Sequence, residues 1–143
     1  MPKTEATAPP DVQPKAAAAQ PVSSMAVIAP LVGWILPGAG HLIQKKWGRG
    51  LILMGAMALM FFLGLAMEGK IYRYNTGDLL DILGFVGDVG SGGLYIISRI
   101  LDVGTAPIAH ATADYGTKFI VISGLLNVMA MVDAFHIAAG RKQ

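Results

Sequence analysis

The sequence predicts an all-α integral membrane protein. It should have two transmembrane helices, a kinked or short apolar segment before them, and interfacial helices in a long connection between them. Three observations carry this. Residues 51–67 hold no charged side chain and follow the basic cluster Lys45-Lys46-Trp47-Gly48-Arg49. A second apolar run, residues 119–132, is followed by Gly140-Arg141-Lys142. Only 14% of the chain is charged and 54% is apolar, whereas a soluble domain carries about 25% charged residues. A run this apolar needs a non-aqueous solvent, and roughly 17–25 residues suffice for a helix to cross a bilayer.

Residues 1–24 are rich in Pro, Ala, Gln and Ser. They read as a flexible, soluble tail with little to bury. They are not a signal peptide, in which a basic region leads directly into an apolar core. Residues 25–143 then form a single helical membrane domain.

The first apolar segment, residues 25–44, is interrupted by Pro30, Pro37, Gly33, Gly38 and Gly40. Pro30 falls in the first turn or two, where a missing N–H does little harm. Pro37-Gly38 falls late and should break the helix. The expectation is a short span or a half-inserted segment that bends at Pro37. Trp47, between Lys46 and Arg49, suits the headgroup region, where an aromatic ring has one wet and one dry side. Gly48 and Gly50 suggest a tight turn. A transmembrane helix follows over residues 50–67, and Glu68-Gly69-Lys70 marks its exit.

Residues 69–117 are too many for a plain loop and should hold structure. Residues 79–83 start a short helix, with Thr76 or Asp78 as its cap. A glycine-rich stretch, residues 84–93, comes next. Residues 94–101 are apolar but short and include Arg99. They suit an interfacial amphipathic helix or a re-entrant piece, and a further span over 83–101 is the alternative. The second transmembrane helix runs over residues 117–139 and stops at Gly140.

Clusters of Lys and Arg face the cytoplasm. Lys45, Lys46 and Arg49 form one cluster, and Arg141 with Lys142 another. Two crossings between them put both on the same side. The expected protein is therefore multi-pass in the inner membrane, with a cytoplasmic C-terminus and an extracytoplasmic connection. The side of the tail depends on whether residues 25–42 cross.

Leu36-Pro37-Gly38-Ala39-Gly40-His41-Leu42, followed by Trp47-Gly48-Arg49-Gly50-Leu51, resembles the opening of small bacterial membrane proteins of the TM2-domain type. Val132-Asp133-Ala134-Phe135 before Gly140-Arg141 is similar to that family's second helix, which carries an aspartate near its end. Leu126-Asn127 and Asp133-Ala134 also resemble an uncharacterised group of bacterial membrane proteins. The resemblance covers residues 30–67 and 119–142. TM2 domains join their helices by a short link, and this chain inserts residues 69–117 instead. The resemblance implies architecture and no particular activity.

Asp133 is the sharpest single residue. A carboxylate at the centre of a membrane helix costs on the order of 2.5–3.5 kcal/mol, so it normally faces protein, water or a partner. It sits near the end of its helix, with His136 on the same face. The expected role is structural: Asp133 pairs with Lys45, Lys46 or Arg49, helped by His41 or His136. The alternatives are a proton relay or ion site through Asp133, His136 and His41, and a solvated charge at the headgroups. Asn127, nearer the helix middle, should hydrogen-bond to a neighbouring helix, a contact worth ~0.6 kcal/mol. Ala130, Ala134 and Ala138 form a small-residue ridge that allows close helix approach.

Other patterns are weaker. The glycines of residues 84–93 lack the Gly-Lys-Ser/Thr of a phosphate loop and read as a hinge or tight turn. Ser91 is placed to cap the helix that begins near Leu94. His110 and Asp114 lie just before the second span at metal-ligand spacing, but two ligands fall short of a site. The chain has no cysteine, which removes thiolate chemistry. A net charge of +2 gives no reason to expect nucleic acid. No nucleophile–base pair, metal set or cofactor motif stands out.

The resulting expectation is a non-catalytic membrane protein without a cofactor, a scaffold or accessory subunit that docks to a larger membrane complex. An oligomeric transporter or channel component using Asp133 and Asn127 is the first alternative. A lipid-acting membrane enzyme is the second. Expected partners are the bilayer and other membrane subunits or a second copy.

Overall fold

The structure, a computed structural model, describes residues 23–74 and 78–141. Residues 1–22 of the expected 1–24 tail, the alternative cap Thr76 and the terminal Lys142 lie outside the described residues, while Ser23 and Ser24 of that tail cap and open α1. Six helices follow in order: α1 (Ser24–Ile35), α2 (Ala39–Leu42), α3 (Trp47–Ala66), α4 (Leu79–Gly90), α5 (Gly93–Ile100) and α6 (Ala111–Ala138). Helices α3 and α6 are each long and apolar enough to cross a membrane.

Local chemistry sets the helix ends. Ser23 Oγ accepts from the Met25 amide at the start of α1, and Asp78 Oδ1 accepts from the Leu80 amide at the start of α4. Each satisfies a donor that has no partner within the helix. At the end of α6, Gly140 takes φ +69°. Its amide donates to Ile137 O, and the Arg141 amide to His136 O. These two bonds make a Schellman close, which needs the left-handed conformation that glycine adopts without strain.

Helix α6 is the axis of the molecule. It packs against α1, α3 and α4. Helix α3 runs antiparallel to it. Arg49 faces Asp133, Ser123 Oγ donates to Met57 O, and Gly64 lies against Gly116 O. At the far end from the basic cluster, Phe61, Ile71 and Ile120 are buried together, with Leu65, Leu94 and Tyr95 around them. Residues 69–71 return across this end. The Lys70 amide donates to Thr117 Oγ1.

Helices α1 and α4 are half-length. Each has 12 residues, a rise of about 18 Å against a hydrocarbon core of about 30 Å. After α1 the chain turns at Pro37-Gly38 and folds back. Gly40 then lies against Ala29 O, and Gln44 Nε2 donates to Ala134 O. Residues 24–46 thus start and finish at one end of α6, so the bend at Pro37 makes a hairpin. Helix α4 enters from the opposite end, parallel to α6. Helix α5 leaves it at an angle of 106°.

Four sequence expectations change in detail. Gly48 and Gly50 lie inside α3 rather than in a turn before it. Helix α6 begins at Ala111, not Thr117, so Asp114 and Tyr115 belong to its opening turns. Helix α5 begins at Gly93 after the N-cap residue Gly92, without a side-chain cap, so Ser91 does not cap it. Gly84, Gly87 and Gly90 lie inside α4, buried against its neighbours, rather than in a hinge or turn over residues 84–93.

Candidate functional site

The residues singled out from sequence fall into separate places. At the basic-cluster end, His41 is 1% exposed and its Nε2 lies 3.0 Å from Asp133 Oδ2. Arg49 Nη1 stands 3.9 Å from the same oxygen. Gln44 adds bonds from its Nε2 to Gly40 O and Ala134 O. These contacts hold the returning arm of the hairpin to the last two turns of α6. Lys45 and Lys46 are exposed, and His136 stacks on Phe135 with ring centroids 5.8 Å apart. Ala134 of the small-residue ridge is buried, and its Cβ would lie 3.2 Å from a Cβ on Gly40. At Ala134 the ridge thus meets the hairpin. His110 is exposed and Asp114 pairs with Lys118 one turn on, so the structure does not bring the two together as ligands.

Asn127 belongs to a different cluster. It is fully buried, and its Nδ2 donates to Gly90 O, 2.9 Å away. Gly90 is the last residue of α4. Beside it, Ser91 and Asp88 are 1% and 0% exposed. Asp88 Oδ2 accepts from the Tyr72 amide at 2.6 Å. Ser91 Oγ lies 2.8 Å from where a Cβ on Gly124 would stand, one turn before Asn127 on α6. Among the described residues, Asp88 Oδ1, Ser91 Oγ and Asn127 Oδ1 are buried without a hydrogen-bond partner, as is Gln44 Oε1 elsewhere. Buried polar atoms are nearly always bonded, so three orphans around one helix end call for an explanation.

The end of α1 closes this cluster. Trp34 Nε1 donates to Val89 O at 3.0 Å. A Cβ on Gly92 would stand 1.6 Å from Trp34 O, and one on Gly93 2.1 Å from Ile35 O. Gly92 also takes φ +59°. Two half-helices therefore enter from opposite ends and meet by their carboxyl ends beside Asn127. Backbone that leaves helical geometry at membrane depth is tolerated where it is buried in protein or lines a polar cavity. Outside the cluster, Tyr72 lines a small surface cavity with Lys70, Arg73, Asp81 and Thr105. Burial pushes its phenol above the ordinary value, and the Asp81 and Asp88 carboxylates add to the shift.

Sequence reasoning placed Asn127 on a helix contact but missed Asp88 and Ser91. The signal was there: a carboxylate between Gly84, Gly87 and Gly90 in an otherwise apolar stretch. Such a residue is costly in a membrane segment and normally marks a site.

No curated protein and no solved structure matches the chain. Residues 28–143 match a family of unknown function, DUF6677, which takes in both long helices and all but the first turn of α1, and the chain belongs to that family.

Proposed function

We propose that this protein is a non-catalytic membrane component of the transporter or channel type, holding a small polar solute where α1 and α4 meet. The observation that supports this is the α4–α5 break itself, with three unpartnered buried oxygens around it. Broken helices that end near the middle of a membrane protein are the usual build of solute and ion sites. The proposed site uses Asn127 but replaces Asp133 with Asp88 and Ser91. Asp133 keeps the structural role of holding the hairpin to α6.

In the proposed orientation the basic-cluster end and the C-terminus face the cytoplasm of an inner membrane, because Lys45, Lys46, Arg49 and Arg141 gather there. The bilayer is the first partner. An accessory-subunit role would draw on Ile52, Leu59 and Phe62, large apolar side chains exposed on α3, which lipid or another subunit would cover. The Pro37-Gly38 bend of the TM2-type resemblance is the tip of the first hairpin in this picture.

The chain has no cysteine of its own, so a Ser91→Cys variant reports solvent access to the break directly. In liposomes it should react with a small methanethiosulfonate reagent. A Gly124→Cys variant would clash with Gly87 O and is a poor probe. Inert Ser91→Cys beside a reactive Lys46→Cys control, in a fold that remains intact, would refute a solute path through the break.

A further inference from the structure

We infer that the meeting point of α1 and α4 is a site for a monovalent metal cation, ligated by Asp88 Oδ1, Ser91 Oγ and Asn127 Oδ1. This rests on the proposal above that the break is where the protein holds a ligand.

The ligand class follows from the atoms. Asp88 and Ser91 are three residues apart and so share one face at the end of α4. Asn127 reaches that same end, and its amide nitrogen is already used on Gly90 O. Its oxygen is what remains. Asp88 has likewise spent Oδ2 on the Tyr72 amide, which leaves Oδ1. All three unpartnered atoms are oxygens able to accept, so the cluster calls for something electron-poor. An anion would find one donor, the Ser91 hydroxyl, and would face the Asp88 carboxylate and the Asn127 carbonyl oxygen.

The helix ends point the same way. The carboxyl end of a helix carries roughly half a negative charge, and cations are stabilised there. Two such ends converge here, α1 at Ile35 and α4 at Gly90. Hard oxygen donors favour alkali and alkaline-earth ions over first-row metals, which take imidazole or thiolate. Among the described residues no three His, Asp or Glu side chains group around a common point. Asp88 is the single carboxylate of the cluster, and one positive charge balances it. A divalent ion would leave a net charge buried, which is costly in a low-dielectric interior.

The structure also supplies its own reporter. Trp34 is bonded to Val89 O at the rim of the cluster, and the chain has only one other tryptophan, Trp47. In a Trp47→Phe background Trp34 emission reads the site alone. The experiment titrates NaCl against choline chloride at constant ionic strength and fixed pH, with full-length protein in mild detergent. The expected result is a saturable change in Trp34 emission and a thermal midpoint that rises with Na⁺ but not with choline. Ser91→Ala and Asn127→Ala should each raise the half-saturating Na⁺ concentration at least about ten-fold, the effect of losing a ligand contact of about 1.4 kcal/mol. Asp88→Asn should abolish the response. Should Asp88→Asn fail to fold, the two milder variants still decide the matter. Asp133→Asn, away from the cluster, should keep the wild-type titration.

Equal behaviour in Na⁺ and choline would overturn the cation site, and the three oxygens would then be hydrated by water. Wild-type titrations in both Ser91→Ala and Asn127→Ala would overturn it too. The two proposals fail separately. A reactive Ser91→Cys in a Na⁺-insensitive protein removes the cation and leaves the solute path. An inert Ser91→Cys in a protein that responds to Na⁺ removes the path and leaves a structural ion.

Discussion

Gly92→Ala tests the meeting of the half-helices most directly. Gly92 sits at φ +59°, ψ −115°, a conformation that costs an L-residue about 1–3 kcal/mol. The new Cβ would stand 1.6 Å from Trp34 O, about half of an ordinary contact distance. Relief requires the end of α1 to move away from the α4–α5 turn by more than an ångström, because the opposing atom is backbone. That movement breaks the Trp34 Nε1–Val89 O bond, with a net loss of about 0.5–1.5 kcal/mol. Together the two effects come to about 3 kcal/mol. This is a large part of a total stability of about 5–15 kcal/mol. Gly55→Ala is the control, since a Cβ there meets nothing within 4 Å. As an ordinary mid-helix replacement it should be neutral or stabilising by about 0.5–1 kcal/mol. Both would be unfolded in mixed micelles by titration with a denaturing detergent, followed by tryptophan emission and helical circular dichroism. If Gly92→Ala unfolds within about 0.5 kcal/mol of Gly55→Ala, the range of an uninvolved surface change, the tips do not touch and the site argued from their contact is wrong.

At the other end, His41→Ala should cost about 2–4 kcal/mol by leaving a cavity where a buried ring stood and removing its 3.0 Å contact to Asp133. Asp133→Asn should cost about 1 kcal/mol, since the amide oxygen still accepts from His41. Arg49→Ala should cost least, because the side chain is half exposed and 3.9 Å away. The same unfolding titration ranks them, and Arg49→Ala as the most harmful of the three would contradict the geometry. Single cysteines at Ser23 and Lys46 should both label with a membrane-impermeant maleimide from one side, and a cysteine at Lys70 from the other. Labelling of Ser23 and Lys46 from opposite sides would turn the first hairpin into a full crossing. Tyr72 predicts a loss of stability in alkali. Its phenol is raised above 10.0 in the fold, so above that pH the unfolded chain ionises first and unfolding is favoured as pH rises. The difference between wild type and Tyr72→Phe should therefore open only above about pH 10, and identical stability profiles for the two through that range would exclude it.

The parts of the fold that sequence disclosed are those with a local cause. Helices α3 and α6 declare themselves by length and lack of charge. The bend at Pro37 declares itself because a proline late in a helix removes a bond and adds a clash. The contact of Asp133 with His41 and Arg49 was legible because few groups near that end could satisfy a carboxylate. The α4–α5 break was not legible, for two physical reasons. A helix of 12 residues is too short to reveal itself as membrane-embedded by hydropathy. Its burial also depends on Gly84, Gly87 and Gly90 meeting Tyr72, Val121 and Gly124, contacts made across distant parts of the chain. Asp88 therefore looked like one more loop residue. The start of α6 was placed late because Asp114 and Lys118 dilute its opening turns, and their pairing across one turn is part of what lets the helix begin at Ala111.

Helix α6 comes after the other described helices, yet α1, α3 and α4 all rest on it. Synthesis runs from the N-terminus at about 5–20 residues per second. For several seconds after α4 emerges, neither the first hairpin nor α4 has the α6 surface that it packs against. Asp88, Ser91 and the frayed carboxyl ends of both half-helices must wait in the headgroup zone or in the insertion machinery until residues 111–138 arrive. Seating of both half-helices is thus one late event set by the arrival of α6, and a stop before it would leave α3 as an apolar span with neither half-helix held in place.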